Sequence, residues 1–146
     1  MKSKLSRYRF IDHTADIAVK LEAEDYEELF TIAASAWRKS VVDSEPEGIS
    51  DSQRISLSSE TAEELLVSFV NEINYLLNVK KWLFDEIEKI QIIKSDSSFK
   101  LDALLNGKII DPARAELKTE IKAVTFHQMK IIYDKGLYST MLVFDI

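Results

Sequence analysis

The side chains of this chain best suited to chemistry are carboxylates, one histidine and one lysine, and they fall in three short segments. Near the start, FIDHTADI sets Asp12, His13, Thr14 and Asp16 inside an otherwise apolar stretch. Two carboxylates and an imidazole can grip a hard cation or move a proton. The same residues suit a turn between two strands, where Asp and Thr side chains bond nearby backbone amides. In an extended chain Asp12 and Asp16 stand too far apart to share an ion unless the backbone turns between them.

At the other end, the apolar run MLVF leads into Asp145 and Ile146. Asp145 and the free carboxylate of Ile146 offer oxygens for a hard cation within two residues; equally, Asp145 is a charged residue where a strand meets water. Between these ends lies PARAELKTEIKAVTF, in which Glu116, Lys118, Glu120 and Lys122 alternate with Leu117, Thr119, Ile121 and Ala123. Period two puts the charges on one face of a strand, where alternating ion pairs in water contribute little. Val124 and Phe126 then follow on the charged side, so Lys122 stands where polar meets apolar, a setting that can make a lysine a site residue.

Composition removes most other chemistry. With no cysteine there are no disulfides, thiolate nucleophiles or thiolate zinc sites. Two histidines, His13 and His127, cannot build a multi-histidine metal centre, so a metal site must be mainly oxygen, as calcium, magnesium or manganese prefer. His127 reads as an ordinary strand-end histidine. No GxSxG elbow, GxGxxG or GxxxxGK[ST] occurs, and three glycines could hardly cradle a phosphate. The net charge of −6 disfavours nucleic acid. The basic cluster Lys2, Lys4, Arg7 and Arg9 reads as a solvated terminal feature rather than a nucleic-acid contact, with residues 1–7 a loose tail.

The elements that must position these residues are legible. A chain of 146 residues fits one domain over 1–146. Asp25, with Glu28 three residues on, starts a helix whose apolar face runs from Leu29 to about Val41. Thr61, followed by Glu64, starts a second with a wide apolar stripe from Leu65 to Leu77 and a polar face of Glu63, Ser68, Asn71 and Asn74. The rest reads as strands: YRFI, IAVKLEA, QRISLSS, IEKIQIIK, FKLDALL, TEIKAVTFHQMKIIY and YSTMLVFDI. Residues 43–52 read as a loop, LNGK at 105–108 carries an Asn-Gly pair of the kind that turns hairpins, and YDKGLY reads as a hairpin around Gly136. Strands outnumber helices, which predicts an α+β fold: a mostly antiparallel or mixed sheet with two main helices packed on it as a two-layer sandwich. No apolar run is long enough to span a bilayer and the start lacks a secretory h-region, so a cytoplasmic protein without membrane contact is expected.

Taken together, YRFIDHTADIAVK, YEELFTIAASAW, ELKTEIKAVTFHQMKI and the final VFDI resemble the archease family, in order and spacing, from about Tyr8 to Ile146. The set is specific, while any one piece alone is weak. The resemblance implies a small non-catalytic α+β protein that activates an RtcB-type RNA ligase in tRNA splicing and RNA repair, promoting guanylylation of the ligase and its multiple turnover. RNA is then contacted only through the ligase. It implies a divalent cation, calcium before magnesium or manganese, held by Asp16, Asp145 and the backbone oxygen of Ile146. The functional lysine of the family's T-E-V-K-A segment matches Lys122, and Asp12 and His13 match the motif as supporting residues. Such a pairing of Asp16 with Asp145 requires the first strands to lie beside the last. The alternatives are a chaperone-like modulator of DNA- or RNA-processing proteins, described for some members, and a metal-dependent hydrolase using Asp12, His13 or Lys122 as base.

Overall fold

A computed structural model describes residues 6–11, 16–125 and 129–146. In chain order the elements are β1 (Arg7–Ile11), β2 (Asp16–Ala23), α1 (Tyr26–Val41), β3 (Ile49–Ser59), α2 (Ala62–Lys80), β4 (Trp82–Lys94), β5 (Phe99–Ile109), β6 (Ala123–Thr125), β7 (Ile132–Asp134) and β8 (Leu137–Asp145). Both helices begin at the expected caps. Asp25 accepts from the Glu28 N–H at 2.8 Å and Thr61 from the Glu64 N–H at 3.1 Å, each satisfying an amide with no partner inside its helix. The second residue of each helix has a longer reach. Glu27 accepts from the Ile92 N–H of β4 at 3.0 Å, and Glu63 from the Ile131 N–H at 3.1 Å.

The strands pair antiparallel throughout, in the α+β arrangement expected, and they divide into two sheets. One runs β3-β5-β4; the other runs β1-β2-β8-β6, with β7 also paired to β8. Each helix meets both sheets: α1 packs on β2 and β4, α2 on β3, β4 and β6. That is why the apolar stripe of α2 is so wide, since two surfaces must be met by one helix. The core contains Trp37, Trp82, Phe30, Phe69, Phe84 and Phe144, all fully buried. Among the described residues no helix is long and apolar enough to cross a membrane.

Several local readings change. Asn106 and Gly107 do not turn the chain but lie inside β5. A Cβ on Gly107 would stand 2.4 Å from the Leu83 carbonyl oxygen and 2.4 Å from the Trp82 ring, so this glycine serves close packing rather than a turn. The loop after α1 is shorter than 43–52 because β3 starts at Ile49. Arg7, assigned above to a tail, opens β1 and pairs with Glu22 at 3.1 Å. The expected hairpin at Gly136 is present, with Lys135 and Gly136 both at positive φ (52° and 82°), as a tight two-residue turn demands. TEIKAVTFHQMKIIY is not one strand. Residues 119–122 belong to no strand, β6 covers three residues, and β7 starts at Ile132. The alternation nonetheless survives as burial: Glu116, Lys118, Glu120 and Lys122 are exposed and Ile121 is buried. Val124 then turns inward beside it, out of step with the charged residues before it.

Candidate functional site

The site follows from one antiparallel pair. β2 begins at Asp16 and β8 ends at Asp145, so antiparallel pairing in this register sets Asp16 directly opposite Asp145. Residues opposite each other share a sheet face, with Cβ atoms roughly 4.5–5.5 Å apart. On its other side Asp145 faces Ala123, the first residue of β6. The Lys122 N–H donates to the Asp145 carbonyl at 2.7 Å and fixes the end of the strand. Asp16 is half-buried; Lys122, Asp145 and Ile146 are exposed. Three candidates from distant parts of the chain, Asp16, Lys122 and the Asp145–Ile146 pair, thus meet at one end of one sheet. Asp12, His13 and His127 lie outside the described residues.

Helix α2 holds the Lys122 side of this edge, through residues that the sequence reading placed on a polar outer face. Asn74 is buried: its amide donates to the Ile121 carbonyl at 2.7 Å and its oxygen accepts from the Trp37 indole N–H at 2.9 Å. Asn71 accepts from the Val124 N–H at 2.7 Å and donates to the Val124 carbonyl at 3.1 Å. Asn78 adds a donor to Ile121 at 3.3 Å. These side chains replace the ladder that residues 121–124 lack on that side, because buried backbone groups need partners. A signal was available: Asn71, Asn74 and Asn78 recur at i, i+3 and i+7, the spacing of a single helix face.

The donor set is all oxygen, as a hard cation requires. Among the described residues no three His, Cys, Asp or Glu side chains converge, so side chains alone give a pair, not a cage. A cleft of about 660 Å³ lies elsewhere, between residues 44–49 and 109–116.

Residues 8–146 match the model of the Archease protein family. The Methanosarcina mazei protein named Protein archease is 31% identical over the whole of both chains. That of Pyrococcus abyssi is 30% identical over 97% of this chain and 100% of its own. The solution structure of Protein 1598 of Methanobacterium thermoautotrophicum superposes with a TM-score of 0.80 at 30% identity, over 95% of this chain and 98% of that one. The crystal structure of a Thermotoga maritima protein, described as an archease and possible chaperone, gives a TM-score of 0.60 at 27% identity over 93% and 94%. With its two capped helices, its antiparallel sheets and a family match over nearly its full length, the chain belongs to the archease family.

Proposed function

We propose that this archease is an activating partner of an RtcB-type RNA ligase, acting through the Asp16–Asp145 edge and without catalysis of its own. The observation that carries the reading is the register that sets Asp16 opposite Asp145, with Ile146 next in the chain. Asp16 and Asp145 would hold a divalent cation, calcium before magnesium or manganese, through their carboxylates, and Ile146 through a backbone oxygen. When bound, such an ion neutralises the facing carboxylates and polarises phosphoryl oxygens. Calcium takes 6–8 oxygens, so this edge leaves positions for water or for oxygens of the ligase site. The exposed Lys122 side chain stands beside them, and its backbone N–H keeps Asp145 in place. The edge would insert toward the ligase's metal-and-nucleotide centre and position the ion there. The Thermotoga maritima relative, described as a possible chaperone, supports the coarser statement that the target is a protein.

The test is RNA ligation with the cognate ligase held substoichiometric, with and without this protein. Asp145→Ala should lower the stimulation of turnover at least as much as loss of an outer-shell group does at a metal site, about 10–100-fold. Full multiple-turnover stimulation by Asp16→Ala or Asp145→Ala sinks the proposal. Hydrolysis of nucleotides by the isolated protein, lost in Asp16→Asn, would favour an enzyme instead.

A further inference from the structure

The face of the five-stranded sheet turned away from the helices carries a pattern that core packing does not explain. Alternation sends Val19, Leu21, Leu142 and Phe144 into the core, and the residues between them outward. Read across the sheet, the outward residues form rows. Asp16 faces Asp145; next come Ile11, Ala18, Val143 and Thr125; then Arg9, Lys20 and Met141; then Arg7, Glu22, Ser139 and Ile132. Ala18 in the second row is only 1% exposed, whereas Arg9, Met141 and Ile132 in the third and fourth rows are open to solvent. Ile11 is 37% exposed, Met141 47% and Ile132 57%, so apolar side chains are exposed on β1, β8 and β7.

The third row sets two cations opposite each other. Arg9 and Lys20 are directly opposite, and like charges so placed destabilise a sheet. Glu22 is bonded to Arg7 at 3.1 Å, and neither Arg9 nor Lys20 has an ion pair among the described residues. A cation pair with no ion-pair partner among the described residues, beside exposed apolar side chains, suits a partner bearing a carboxylate and an apolar group.

We propose that this face docks a protein whose surface brings a carboxylate to Arg9 and Lys20 and an apolar side chain to Ile11, Met141 and Ile132, aiming the Asp16–Asp145 edge at that protein's own site. It rests on the function proposed above, in that the partner is the same ligase. A nucleic acid fits worse. Its phosphates would meet Arg9 and Lys20 but also Asp16 and Asp145, roughly 13 Å away along β2 at the usual rise. A second copy fits worse too. The face measures roughly 500 Å² from strand rise and spacing, below the roughly 800 Å² per partner of a stable interface. A ligase that also receives the edge buries more.

Binding of full-length variants to the cognate ligase by calorimetry, together with ligation turnover, tests this. Met141→Glu and Lys20→Glu should each weaken binding by about tenfold or more, as central interface residues do. Lys20→Arg should bind as wild type, and Ser58→Glu, on the other sheet, should leave affinity unchanged. Asp145→Ala should lose stimulation while keeping most of the affinity, which separates docking from the edge. Wild-type affinity in both Met141→Glu and Lys20→Glu, with the wild type still stimulating, overturns the docking face and leaves the activator reading standing. No binding or stimulation by the wild type overturns both. A wild-type dimer in sedimentation that Lys20→Glu dissolves overturns the ligase as occupant in favour of a second copy.

Discussion

The outer faces of the two sheets each carry one ion pair between neighbouring strands, Arg54–Asp102 and Arg7–Glu22, and differ in what faces what beside it. On the three-stranded sheet, Arg54 of β3 makes two bonds to Asp102 of β5 (3.1 and 2.7 Å), and Ser56 adds a third at 3.2 Å. Each partner stabilises the other's charged form: Asp102 is held below its ordinary value by the bonds from Arg54, and Arg54 is raised by the bond to Asp102. Ser52 donates to Asn106 across the strands, and Lys108 reaches Glu45 at 2.6 Å. On the five-stranded sheet, Asp16 faces Asp145 and Arg9 faces Lys20. On the first face Arg54, Asp102 and Lys108 find partners within the chain. The other sets like charges opposite each other in two rows, an arrangement that a ligand of opposite charge can complete.

The contrast can be broken at its support. Asn74→Leu would leave the Trp37 N–H without a partner and the Ile121 carbonyl with only the longer bond from Asn78, at a cost of about 1–3 kcal/mol in urea unfolding. Hydrogen exchange should quicken first at Val124 and at β8 near Asp145, with β5 still protected. Equal acceleration in β5 would mean that the asparagine holds the whole core rather than this edge.

Opposite signs should follow from charge changes on the two faces. Lys20→Glu places opposite charges across β1 and β2 and should stabilise the free protein by about 0.2–1 kcal/mol at low salt. Asp102→Lys should lower the melting temperature, because it sets a cation against Arg54. A Lys20→Glu protein that is more stable yet binds the ligase worse would separate partner recognition from folding. Destabilisation by Lys20→Glu would show that the cation pair is structural.

The smallest effect concerns pH. Glu45 is held below its ordinary value of 4.5, first by the bond from Lys108, then by the charges of Arg38 and Lys108. A depressed carboxyl contributes stability that is complete above its unfolded value and lost as pH falls through its folded one. Lys108→Met removes the largest cause, so the Glu45 titration seen by carboxyl ¹³C NMR should move up toward 4.5. An unmoved midpoint would assign the depression to Arg38, which lies 2.8 Å away.

The sequence by itself determined what depends on neighbours a few residues apart. Asp25 and Thr61 cap their helices because the amides they satisfy lie three residues on. Gly136 turns its hairpin because that turn needs positive φ there. The charged and apolar alternation of residues 116–121 survives even without strand pairing. Tertiary structure decided the rest, because the decisive neighbours are distant in the chain. Asn106-Gly107 has turn chemistry, yet Trp82 packs against Gly107 and keeps it within a strand. Asn71 and Asn74 look like a solvent face until the segment at 121–124 arrives with carbonyls to satisfy. Composition and motif could nominate Asp16 and Asp145 separately. Only the antiparallel register of β2 and β8 sets them opposite each other, since a shift of one residue would turn one strand's carboxylate to the other face of the sheet.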